Sequence, residues 1–144
     1  MKYAHEVLIQ RYVPDVFAYM DDVAREPEWQ PNLVEATQDP PGPTTVGSRK
    51  RYVSQFMGKR IENTYVVKVY EPVQRVVYET TKDSVLQATV DVRFEEEGGG
   101  TRVRMAFEGG VSGPLRFIPE AVLKKAYEAE LEATLKRLKK RLEG

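Results

Sequence analysis

The C-terminal stretch constrains this chain more than any other. From Gly113 to Gly144 the spacing predicts one long C-terminal helix, with Pro114 in its first turn and Ile118, Val122, Ala126, Tyr127, Leu131, Leu135, Leu138 and Leu142 recurring every three or four positions. Lys124, Lys125, Glu128, Glu130, Glu132 and the basic run Lys136 to Arg141 fall between them and form a wet face. Such a helix is amphipathic and about 40 Å long, at ~1.5 Å per residue over roughly 28 residues. Its apolar stripe needs a partner surface of matching length, which the preceding residues must supply.

Those residues read mainly as strands. Tyr3, His5, Val7 and Ile9 alternate before Val13-Pro14 stops the run. Val16, Phe17 and Met20 then mark a short helix from Pro14 to Asp22, and Pro27 to Trp29 mark a second helical turn. Leu33 to Gln38 is a strand, followed by the loop DPPGPTTVG. Ser48 to Met57 and Arg60 to Tyr70 form a hairpin about Gly58-Lys59, a register that opposes Phe56 to Ile61, Ser54 to Asn63 and Tyr52 to Tyr65 on one inner face. Arg75 to Lys82 is a further strand, and Leu86, Ala88, Val90, Val92 and Phe94 alternate cleanly along the next. Gly98 to Gly100 turn the chain into a last strand, with Val103, Met105 and Phe107 facing inward. The order predicts an α+β fold in one domain spanning residues 1–144: a curved antiparallel sheet of about six or seven strands wrapped around the C-terminal helix, with two short helices after the first strand.

Composition removes several function classes. The 22 basic and 22 acidic side chains cancel, so no overall field favours nucleic acid or anionic lipid. There is no cysteine and one histidine, which leaves no thiol nucleophile, disulfide framework or multi-histidine metal site, and no cofactor motif is present. The amino-terminal residues lack a signal-peptide apolar run and no stretch approaches 18 apolar residues, so a cytoplasmic protein is expected, with membrane contact at most transient.

With the element order in place, Val13 to Trp29 (VPDVFAYMDDVAREPEW) resembles the opening signature of the START-like (SRPBCC) superfamily, and of its polyketide cyclase/dehydrase family in particular. The matching features are Pro14, Val16-Phe17 and Pro27-Glu28-Trp29, then Val69-Tyr70-Glu71-Pro72, Phe94-Glu95 and Gly100-Thr101-Arg102-Val103. The resemblance implies the helix-grip fold of the birch-pollen allergen, in which sheet and helix enclose a cavity for hydrophobic ligands. It leaves function open among carriers, receptors, quinone-binding proteins and aromatase/cyclases.

The expected ligand contacts are the inward positions Tyr52, Ser54, Phe56, Asn63, Tyr65, Tyr78, Ala88, Val90, Met105 and Phe107, with Ile118 and Val122 from the helix and Trp29 as either a mouth residue or a packing anchor. Each of these singly reads more readily as core filling than as a contact; the group together favours a pocket. His5 is the one side chain that titrates near neutrality unaided, and no partner for it is visible, so no catalytic residue is assigned. Asp21-Asp22 reads as a helix cap or surface pair beside Arg25 and Glu26, and Lys136 to Arg141 as a solvated face. The leading expectation is a non-catalytic carrier or sensor for a small hydrophobic molecule. The alternatives are a cyclase- or dehydratase-type enzyme using the same cavity and a protein-interaction module.

Overall fold

A computed structural model describes residues 1–144. Strand β1 (Lys2–Ile9) leads into helix α1 (Val13–Asp21), a 3-10 turn (Val23–Arg25) and the one-turn helix α2 (Glu26–Trp29). Six strands follow: β2 (Leu33–Asp39), β3 (Arg49–Phe56), β4 (Lys59–Glu71), β5 (Arg75–Thr80), β6 (Leu86–Glu97) and β7 (Gly100–Val111). A second 3-10 turn (Gly113–Leu115) precedes the long helix α3 (Glu120–Glu143). The sheet order is β1-β7-β6-β5-β4-β3-β2 with every neighbouring pair antiparallel, so β2 to β7 form a meander and β1 closes onto its far strand.

This is the expected helix-grip architecture, with two local corrections. Helix α3 begins at Glu120, not near Pro114. Pro119 is its N-cap, with extended backbone (ψ 139°) and a carbonyl that accepts from the Val122 and Leu123 amides; the preceding proline-containing segment cannot continue as helix through it. The buried row is Leu123, Tyr127, Leu131, Leu135, Leu138 and Leu142, while Val122 turns outward and is 49% exposed.

The β3–β4 hairpin also turns one position early. Met57 and Gly58 are the two loop residues, both in the left-handed region (φ 52° and 75°), as a two-residue hairpin turn with the twist of its strands demands. Phe56 therefore pairs with Lys59, Ser54 with Ile61, Tyr52 with Asn63 and Lys50 with Tyr65. The register differs by two residues from the sequence expectation, and because the side-chain period is also two, the inner face keeps its members.

The core lies between the concave face and α3. Ile9, Val16, Val103 and Leu138 are wholly buried, and Phe17 of α1 packs edge-on against Phe94 of β6 (ring centroids 5.1 Å apart). The basic run of α3 does more than face solvent. Lys139 Nζ donates to the Leu8 carbonyl (2.7 Å), and Arg137 and Arg141 both donate to the Glu28 carbonyl (2.8 and 3.1 Å), which ties the C-terminal half of α3 to β1 and α2. Lys136 pairs on the surface with Glu132, and Lys139 also reaches Glu143. No helix is long and apolar enough to cross a membrane.

Leu138→Ala, which empties a fully buried position on the α3 stripe, is expected to cost about 2 to 5 kcal/mol in urea denaturation. Val122→Ala should change stability by less than about 0.5 kcal/mol. Equal effects at the two positions would mean that this helix phase is wrong.

Candidate functional site

Two adjoining chambers of about 90 Å³ each, partly open to solvent, lie on the concave sheet, the first under α1 and α2 and the second under α3. They share the wall residues Gln30, Tyr52, Tyr65, Met105 and Phe107. The first reaches towards α1 and is walled by Phe17, Met20, Trp29, Tyr78, Val90 and Phe94. The second runs under α3 and adds Tyr3, Ser54, Phe56, Asn63, Tyr127 and Glu130. Stacked rings form much of its wall: Phe56 on Tyr127 (4.2 Å), Tyr127 beside Tyr3 (6.1 Å) and Tyr3 on Phe107 (4.9 Å).

Most of the inward positions named from sequence stand on these walls, namely Trp29, Tyr52, Ser54, Phe56, Asn63, Tyr65, Tyr78, Val90, Met105 and Phe107. Three do not. Val122 is exposed because it lies on the opposite side of α3 from Leu131 and Leu135. Ile118 precedes the helix and packs, half-buried, on the edge of the core. Ala88 is buried but pairs with Gly109, whose ideal Cβ would come within 1.9 Å of the Gln87 carbonyl oxygen, so the strands are in tight contact there and leave no open wall. Asn63 has a structural duty as well, since its Oδ1 accepts from the Leu86 amide (2.8 Å).

At the α1 end the walls carry a group of charges that read from sequence as surface. Lys50 is 0% exposed, and its ammonium donates to the Asp21 carbonyl (3.2 Å) and lies 3.5 Å from both Asp21 Oδ1 and Glu26 Oε1. Tyr70 donates to Asp21 Oδ2 (2.7 Å) and Gln30 Nε2 to Glu26 Oε2 (2.8 Å). A bulge in β4 between Val67 and Val69 allows Tyr70 to point inward, because it changes the side-chain parity of the strand. Desolvation pushes the Glu26 carboxyl up to about 7, against the opposing pull of Lys50 and a hydrogen bond from Tyr52. Asp22, by contrast, is a cap as expected, accepting from the Ala24 amide. The one sequence sign of this cluster is Lys50 itself, which shares its strand parity with Tyr52, Ser54 and Phe56.

Glu130 sits in the second chamber, although its place in the sequence of α3 reads as part of the wet face. Burial raises its carboxyl to about 7, opposed by a hydrogen bond from Asn32. Its Oε2 and the indole Nε1 of Trp29 are the two buried side-chain polar atoms that find no partner in the protein. His5 is exposed on β1 and is not among the residues of either wall. No group of three or more His, Cys, Asp or Glu side chains is arranged to hold a metal ion.

A seven-stranded antiparallel sheet gripping one long helix beside an aromatic-walled cavity is the helix-grip fold. The chain belongs to the family described as polyketide cyclase / dehydrase and lipid transport, which it matches over residues 1–143. No curated protein matches it in sequence. Among solved structures it is similar to TTHA0849 of Thermus thermophilus (TM-score 0.84, 17% identity, 99% of this chain and 97% of that one). It is also similar to a START superfamily protein of Mycobacterium smegmatis (TM-score 0.81, 16% identity, 99% and 97%). The di-domain ARO/CYC protein BexL from the BE-7585A biosynthetic pathway matches with a TM-score of 0.80 at 20% identity, over 100% of this chain and 50% of that one. At these identities the likeness is one of fold.

Because the native state holds a proton on Glu130 that the unfolded chain releases above its ordinary value of 4.5, this residue makes stability fall as pH rises from about 4.5 through 7. Glu130→Gln removes that loss. The variant should gain stability over the wild type between pH 5 and pH 8 by at most about 3 kcal/mol, read from urea denaturation at the two pH values. A difference independent of pH would place the carboxyl in contact with solvent.

Proposed function

We propose that this protein binds a small, mostly hydrophobic molecule in the cavity between the sheet and α3. The observation that carries the reading is the pair of chambers adjoining at Tyr52, Tyr65, Met105 and Phe107, whose linings are mostly apolar with a few polar groups set into them. Family membership supports the same class of ligand. An apolar fluorescent probe should bind with micromolar or better affinity. Tyr65→Trp, which fills the junction of the chambers, should weaken it at least about tenfold while the circular dichroism of the fold is unchanged. Unaltered affinity in that variant would put the probe elsewhere.

A second reading, an enzyme of the cyclase or dehydratase kind, is favoured by Glu26. A wall carboxyl that titrates near 7 and touches both a tyrosine hydroxyl and a lysine is suited to general acid–base work. Similarity in fold to an ARO/CYC protein agrees with it. In this reading the proton passes through Glu26 and not through the exposed His5. Turnover of a polyketide-like compound that Glu26→Gln abolishes without weakening probe binding would establish the enzyme. Binding without turnover in the wild type is the outcome expected of a carrier.

A further inference from the structure

The charges on the cavity walls are all of one sign. Asp21, Glu26 and Glu130 stand on them, whereas no lysine, arginine or histidine does. Lys50 lies behind the first chamber and is already engaged by Asp21 and Glu26. Glu130 has no basic partner, and its only neighbour of note is the Asn32 amide. Around it the second chamber presents Tyr3, Phe56, Tyr65, Phe107 and Tyr127. Aromatic faces carry negative electrostatic potential and attract cations most strongly where water is displaced. A buried carboxylate is likewise stabilised by a cation within a few ångströms, in addition to any hydrogen bond it accepts.

We propose that the second chamber is a site for the ammonium group of a hydrophobic organic amine, with Glu130 as its counter-ion and the surrounding tyrosine and phenylalanine rings as its walls. This deepens the small-molecule reading above and rests on it. The amine's hydrocarbon or aromatic body extends past Tyr65 and Phe107 into the first chamber, where the walls are Phe17, Met20, Val90 and Phe94. A neutral ligand of the same shape leaves the Glu130 carboxyl as it stands in the free protein, so the difference between the two ligands isolates the inference from mere hydrophobic uptake.

The test is a matched pair, 2-(1-naphthyl)ethylamine and 2-(1-naphthyl)ethanol, titrated calorimetrically into the full chain at pH 7.5. The ammonium compound should bind about tenfold or more tightly than the alcohol, the gain expected of a desolvated cation among aromatic rings with a carboxylate partner. Glu130→Gln should bring the ratio of amine to alcohol affinity down to about one. Wild-type selectivity stands as a measurement without any variant. If the two compounds bind the wild type equally, or if Glu130→Gln keeps the preference for the amine, the ammonium site is overturned and the apolar cavity remains. If neither compound nor the apolar probe binds, the small-molecule reading itself fails and takes this inference with it.

Discussion

The structure depends on where α3 touches the sheet. Its backbone comes close to β1 and to α2, whereas no other strand approaches it to a comparable extent. Over the middle of the sheet the helix therefore stands away from the strands, which leaves a gap beneath it. Large rings reach across it, Tyr127 from the helix meeting Phe56 from β3 and Tyr3 from β1. Rings are rigid and stack at fixed spacing, so they bridge the gap without filling it. The cavity is the volume left over.

Holding the helix at that distance requires ties at its ends. Lys139, Arg137 and Arg141 supply them at the C-terminal half by donating to main-chain carbonyls, bonds stronger than the exposed side-chain pairs seen elsewhere on α3. At the other side of the cavity, Lys50 pins α1 and α2 to β3 through Asp21 and Glu26. A buried charge group of this kind contributes little net stability, since desolvation offsets the attraction, but it admits few alternative arrangements. It fixes where α1 and α2 sit over the sheet, and with them Phe17, Met20 and Trp29 on the wall.

Much of this architecture is legible in the sequence because it follows from period. Leu86, Ala88, Val90, Val92 and Phe94 declare the inner face of β6, and a register two residues off leaves Tyr52, Ser54 and Phe56 on the correct side. The phase of α3 is not legible to the same degree. Val122 and Leu123 are both apolar and adjacent, and the choice between them rests on carrying the phase of Leu131, Leu135 and Leu138 back over two turns at about 100° per residue. The charged part of the site is hidden for a different reason. Asp21 and Lys50 are 29 positions apart, and a carboxylate beside arginine and glutamate reads as solvated until the fold brings a buried lysine to it. Glu130 looks like one acid among several on a wet face; nothing local distinguishes it from Glu128 or Glu132.

The sheet order also sets the sequence of assembly. Strands β2 to β7 pair with their neighbours in the chain, most of them through short turns and β2 with β3 through the loop of residues 40–48, whereas β1 pairs with β7 from the far end of the chain, Ile9 opposite Thr101. Contacts between distant residues are gathered late, because closing the longer loop costs more entropy than forming a hairpin. The meander is thus the early half of the molecule, and β1 with α3 the late half. Tyr3, Tyr127 and Glu130 belong to the late half, while Tyr65, Met105 and Phe107 belong to the early one. The second chamber consequently draws its walls from both halves, and a molecule held there stabilises the complete fold.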